Sequence, residues 1–179
     1  MPKYFVALLP PSVISEEIIG FQKEIENLFG SVHAQKTPPH ITVIPPFDCT
    51  ENVLEVFSKE LNSFIKNKSP ITLSVQLDNF QRFESRTLFV DVAKNHSFEA
   101  FCKELKLFFN QQKIIKHRVE KHYFIPHITI ANKDIKKRDF NTAWEGFKDR
   151  RYQRSFKLKR FVVLELVMQQ WEIKTEIAV

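Results

Sequence analysis

Glycine is scarce in this chain, with three in 179 residues. The loops that cradle phosphate with bare backbone amides, the P-loop and the G-x-G-x-x-G dinucleotide turn, need more glycine at fixed spacing, so neither can be written here. Any bound phosphate must be met by side chains. Cysteine is also sparse. Cys49 and Cys102 stand outside any C-x-x-C or zinc-like spacing, which excludes a disulfide framework, and both read as small apolar fillers or free thiols. No run of eighteen apolar residues occurs, and the apolar stretch in MPKYFVALLPP is too short for a signal sequence and has no cleavage site after it. The expectation is a cytoplasmic soluble protein with no membrane partner.

Phenylalanine is abundant, with 18 residues in a chain that is 43% hydrophobic. That is enough to bury a core in one domain or two small lobes, and no low-complexity linker divides the chain. Charge is uneven. Residues 1–90 carry 8 Lys and Arg against 10 Asp and Glu, whereas residues 91–179 carry 19 against 11. An anionic partner would feel mainly the second half.

Residues 4–9 read as a buried strand closed by Pro10 and Pro11. Ile14, Ile18, Phe21, Ile25 and Leu28 form a helical stripe that stops at Gly30. A β-branched segment bounded by prolines follows at 40–43, then a helix capped by Thr50, then an alternating strand at Ile71, Leu73, Val75 and Leu77, and a further strand from Thr87. The second half contains a helix with Phe98, Phe101, Leu105 and Phe108 on one face, a basic stretch from Lys113 to His122, a strand at 127–130 and a helix near 139–148. It closes with SFKLKRFVVLELV and WEIKTEIAV, read as two long strands of one hairpin.

Two tetrapeptides repeat: Pro39-His40-Ile41-Thr42 and Pro126-His127-Ile128-Thr129. Phe5 aligns with Phe89, His40 with His127 and Leu73 with Leu158, at offsets of 84, 87 and 85. A repeat at nearly one offset within a matching series of elements predicts a single domain over 1–179, with repeats at approximately 1–86 and 87–179. The expected fold class is α+β: a bilobal duplicated fold of two antiparallel sheets with outer helices, related by a pseudo-two-fold axis, with the active cleft between the lobes.

In a strand, residues i and i+2 share a face. His40 and Thr42 therefore point one way while Ile41 and Val43 point into packing, and His127 and Thr129 do the same against Ile128 and Ile130. Two lobes face to face would place one substrate atom between two imidazole and hydroxyl pairs. In-line displacement at phosphorus needs a base behind the nucleophile and an acid behind the leaving oxygen, and histidine fills either role near neutral pH. The threonine hydroxyls can bind nonbridging phosphate oxygens. No metal or other cofactor is expected, since neither motif has a carboxylate or cysteine cluster beside it.

With these motifs, and with the flanking YFVALLPP, PPHITVIPPF, NFQRFESRTLFVDV and FIPHITIA segments, the chain resembles the two-histidine phosphoesterases. This is the superfamily of the 2′-5′ RNA ligases and RNA 2′,3′-cyclic phosphodiesterases. The resemblance implies that His40 is the acid toward the leaving 3′ oxygen and that His127 activates water, opening a 2′,3′-cyclic phosphate to a 2′-phosphate. A 5′-hydroxyl in place of water would give a 2′-5′ linkage without ATP. The partners it implies are RNA ends or a nucleotide with a cyclic phosphate, met by a monomer. Many RNA-active members continue the second motif to an arginine, where this chain has Asn132. Lys133, Arg82 and Arg86 are the candidate substitutes, and Tyr123 and Phe124 are candidates for stacking a nucleobase. His33, His117 and His122 read as surface loop residues. Two other readings stay open: a hydrolase of small cyclic nucleotides of the ADP-ribose cyclic phosphate type, and a nucleotide-binding module without turnover.

Overall fold

The computed structural model describes residues 1–68, 73–84, 86–115 and 125–179. Their elements run β1 (Lys3–Leu8), α1 (Ser12–Phe29), the 3-10 turn η1 (His33–Lys36), β2 (Ile41–Asp48), α2 (Glu51–Asn67), β3 (Ser74–Phe83), β4 (Thr87–Val92), α3 (His96–Gln112), β5 (His127–Ala131), α4 (Lys137–Phe147), β6 (Gln153–Lys157), β7 (Arg160–Val167) and β8 (Gln170–Ala178). They build two four-stranded antiparallel sheets, ordered β2-β1-β7-β8 and β5-β4-β3-β6. Each His-Ile-Thr strand is an edge strand beside the first strand of its repeat. The two edges approach each other across the molecule.

The sheets do not coincide with the sequence halves. β3, from the first half, pairs with β4 in the second sheet, while β7 and β8, from the second, complete the first. The helices cross over as well. α1 packs on β5 and α4, whereas α3 packs on β2. Aromatic contacts mark both helix layers: Phe57 meets Phe109 and Phe64 meets Phe101 between α2 and α3, and Phe21 of α1 meets Phe80 and Phe147. The repeat is therefore one of element order, and neither half holds a complete sheet.

Local chemistry explains the boundaries. Gly30 ends α1 in the left-handed region (φ 70°) and donates its N–H to Glu26 O, a conformation open to glycine at no steric cost. Thr50 occupies the N-cap of α2 without making a side-chain cap, whereas the Asn95 side chain caps α3 by accepting from Phe98 N. β2 runs on through Pro45 and Pro46, further than the prolines led the sequence to imply. An edge strand has an unpaired side where a missing N–H costs nothing, and the ladder slips there between Tyr4 and Val6.

The expected long strand SFKLKRFVVLELV is instead two strands in two sheets. Phe156 and Leu158 are buried in one phase and Phe161 and Val163 in the other, and the break at Leu158 and Lys159 lets β6 join β3 while β7 joins β1. Leu158 N donates to Leu73 O at the crossing. β7 and β8 do form the expected hairpin, turned by Met168 and Gln169, both with positive φ.

Candidate active site

The prolines before the two histidines hold the clue to their geometry. Proline disfavours helical backbone in the residue before it, which keeps Pro38 and Ile125 extended. The carbonyl of each lies under the imidazole two residues on: His40 Nδ1 is 2.8 Å from Pro38 O, and His127 Nδ1 is 2.7 Å from Ile125 O. A carbonyl only accepts, so each Nδ1 carries the hydrogen and donates it. Nε2 is then the titrating nitrogen in both rings. Phe5 packs on His40 with ring centroids 5.0 Å apart, and Phe89 packs on His127 at the same 5.0 Å. On the reverse faces of the strands, Ile41, Val43, Ile128 and Ile130 are buried in the core, as their alternation requires.

Between the lobes lies an open cavity of about 220 Å³ whose lining includes His40, Thr42, Thr129 and Asn132, with Phe5, Gln22 and Trp171. His127 stands outside that lining, although Thr129 of the same strand is in it. The imidazoles remain close enough for the charge of one to disfavour protonation of the other. Burial is the larger influence on His40 and pushes it down to about 4; the charge of His127 adds to this, and the Pro38 carbonyl opposes it. His40 is therefore neutral in the resting cleft near pH 7.

The surroundings of the two histidines differ. On the first sheet, the cleft face is a small apolar cluster of Phe5, Ala7, Val162 and Leu164, with Trp171 edge-on to Phe5 at 4.6 Å. On the second, Asp91 of β4 stands directly opposite His127 in the ladder and so shares its face. The Asp91 carboxyl is raised, by burial first and also by the charge of Asp78, against the lowering effect of the Val92 N–H and of the nearby His127. Phe83 adds an edge contact to His127 at 5.1 Å.

The basic and aromatic candidates separate. Arg82 is turned away from the cleft, over Phe140 and Trp144, and donates to Asn141 Oδ1. The cause is a bulge at Asn79 (φ 60°), which puts Phe80 and Arg82 on the helix side of β3. Arg86, in the β3–β4 turn, donates to Ile135 O and so ties down the loop after β5. Lys133 is exposed on that loop, and the Asn132 side chain accepts from its N–H and from Thr87 Oγ1. Tyr123, Phe124, His117 and His122 lie outside the described residues.

Two cleft residues, Gln22 and Trp171, escaped the sequence reading. Gln22 is buried on α1, with 2% of its surface exposed, and donates to Thr129 O at 3.0 Å, which fastens the second motif to the first helix. Trp171 lines the cavity, and so does His33, read from the sequence as a surface loop residue and exposed in η1. Among the described residues, no three His, Cys, Asp or Glu side chains converge as a metal set, and no helix is long and apolar enough to cross a membrane.

The chain belongs to the 2′-5′ RNA ligase superfamily, whose family model matches residues 10–168. A Bacillus cytotoxicus relative named "Putative phosphoesterase" is 27% identical over 132 residues, covering 73% of this chain and 70% of its own. One of the same name in Staphylococcus epidermidis is 26% identical over 127 residues, covering 70% and 68%. The fold matches that of Escherichia coli LigT complexed with 3′-AMP at a TM-score of 0.72 and 14% identity, covering 100% of this chain and 99% of that one. It also matches TT0787 of Thermus thermophilus at 0.71 and 14%, covering 98% and 97%.

Proposed function

We propose that this protein opens the 2′,3′-cyclic phosphate of an RNA end or nucleotide, using His40 and His127 as acid and base. The observation that carries the reading is the matched pair of Nδ1 hydrogen bonds, which makes Nε2 the titrating nitrogen of both rings. In this mechanism His127 Nε2 takes a proton from water as its oxygen bonds to phosphorus. The P–O3′ bond breaks on the opposite side, and His40 Nε2–H protonates the leaving O3′. The 2′-phosphate remains. Thr42 and Thr129 donate to the nonbridging oxygens. A phosphodiester anion between the lobes favours the charged form of His40, so substrate itself supplies the condition for the acid to be loaded. With an RNA 5′-hydroxyl as nucleophile, the same groups would form a 2′-5′ bond. Acid, base and anion donors are all side chains, so the chemistry asks for no metal. The protein is proposed to act as a cytoplasmic monomer.

One observation favours a small substrate: among the described residues, those lining the cavity include no Lys or Arg. That suits a cyclic mononucleotide or a cyclic phosphate of the ADP-ribose type better than a polynucleotide. The discriminating experiment offers 2′,3′-cyclic mononucleotides, ADP-ribose cyclic phosphate, 2′-5′ oligoadenylate and a cyclic-phosphate-ended RNA, each with excess chelator and no ATP. Hydrolysis of at least one to the 2′-phosphate is expected. No turnover of any of them would leave only a binding module.

A further inference from the structure

The segment joining α1 to β2 forms one wall of the cleft, supplying His33, Ala34, Thr37, Pro38 and Pro39 to its lining. It is fastened at both ends, to different lobes. On one side the Asp134 carboxylate, in the loop after β5, accepts from Ser31 Oγ and from the N–H groups of Val32 and His33, each at 2.7 Å. On the other, Lys36 Nζ donates to Gln169 Oε1 in the β7–β8 turn at 3.4 Å. Two successive N–H groups on one carboxylate oxygen fix the backbone at His33, and with it the direction in which the side chain leaves. Ordering a loop this way costs conformational entropy, and the restraint falls on the residue that borders the cavity. Among the described residues of that lining, His33 is the one side chain besides His40 able to carry positive charge.

We propose that His33 is a substrate-binding residue for a second phosphate, one that the reaction does not cleave, and that Asp134 is its positioning residue. The ligand class is a nucleotide bearing a phosphate beyond the scissile one. That phosphate is either the 5′-phosphate of a mononucleotide or the internucleotide phosphate of a short chain. The identity of the reacting group rests on the phosphodiesterase reading, whereas binding at His33 can be measured without turnover.

Calorimetry with three product-like probes tests it: adenosine 2′-phosphate, adenosine 2′,5′-bisphosphate and a diadenosine ending in a 2′-phosphate. One charge-assisted contact should make a probe with a second phosphate bind the wild type roughly tenfold tighter than adenosine 2′-phosphate. The preference should vanish in His33→Ala, return in His33→Arg and weaken in Asp134→Asn. A gain with the bisphosphate assigns the phosphate to a mononucleotide; a gain with the diadenosine alone assigns it to a chain. Equal affinity for all three probes, or a preference that survives His33→Ala, overturns the proposal. Turnover of the substrate panel named above by the wild type reads the other question. Its absence beside an intact preference would defeat the phosphodiesterase reading and leave His33 as assigned, and normal turnover beside a flat preference would do the reverse.

Discussion

Phe5 lies against the imidazole of His40 at an interplanar angle of 53°, and one repeat later Phe89 lies against His127 at 54°. Two rings held so alike by different parts of the chain are both under geometric constraint. Replacing either histidine with alanine should lower turnover of a 2′,3′-cyclic nucleotide by roughly two to four orders of magnitude. Circular dichroism and melting should remain close to wild type. Near-normal activity in His127→Ala would sink the assignment.

His40 also makes the fold sensitive to acid. Its ordinary value is 6.5 and its folded value about 4, chiefly through burial. Between the two, the unfolded chain binds a proton that the folded chain refuses. Stability from this residue is therefore complete above about pH 6.5 and is lost as pH falls through 4, by roughly 3 kcal/mol in all. Urea unfolding at several pH values should show this slope in the wild type and a flatter one in His40→Asn. Identical slopes would mean that the imidazole is not desolvated.

Asp91 breaks the equivalence of the two histidines, since its counterpart 84 residues earlier is Ala7. Its carboxylate favours the imidazolium that His127 becomes on taking a proton. Asp91→Asn should remove that support, slowing turnover about three- to tenfold. The pH limb that reports a neutral His127 should move to lower pH, a change that a purely structural role for Asp91 would not produce.

Lys133, Lys136, Lys137 and Arg138 are exposed along the loop and first turn that follow the second motif. If a polynucleotide is bound, these residues release its counterions, and affinity should fall steeply with salt. Changing all four to alanine should weaken binding of a cyclic-phosphate-ended oligonucleotide and flatten its salt dependence, with turnover of a cyclic mononucleotide little altered. An unchanged salt slope would move the substrate away from RNA.

The sequence made the twin motif plain because strand alternation alone separates His40 and Thr42 from Ile41 and Val43. The role of the adjoining prolines was hidden, because it depends on where the carbonyls of Pro38 and Ile125 point. The apolar stripe of α1 was readable, but Gln22 falls on the same buried face as Ile18 and Ile25, and a periodicity of apolar residues passes over a polar one. Leu28, counted in the stripe, is 63% exposed. The phase slip between Leu158 and Phe161 was present in the letters and marks where the chain changes sheets. Arg82 misled because the bulge at Asn79 reverses which residues of β3 face the cleft. Asp134 and Ser31 are 103 residues apart, and no local pattern joins them.

The interleaving of the sheets bears on how the molecule is born. β1 sits inside its sheet, and Phe5 finds its partner Leu164 only after nearly the whole chain has been made. A ribosome emitting this protein releases β1 and β2 long before β7, and until then β1 presents an unpaired edge and an apolar face to whatever is nearby. Such long-range pairing folds slowly. His40, though synthesised early, gains its finished surroundings only when β7 and β8 arrive.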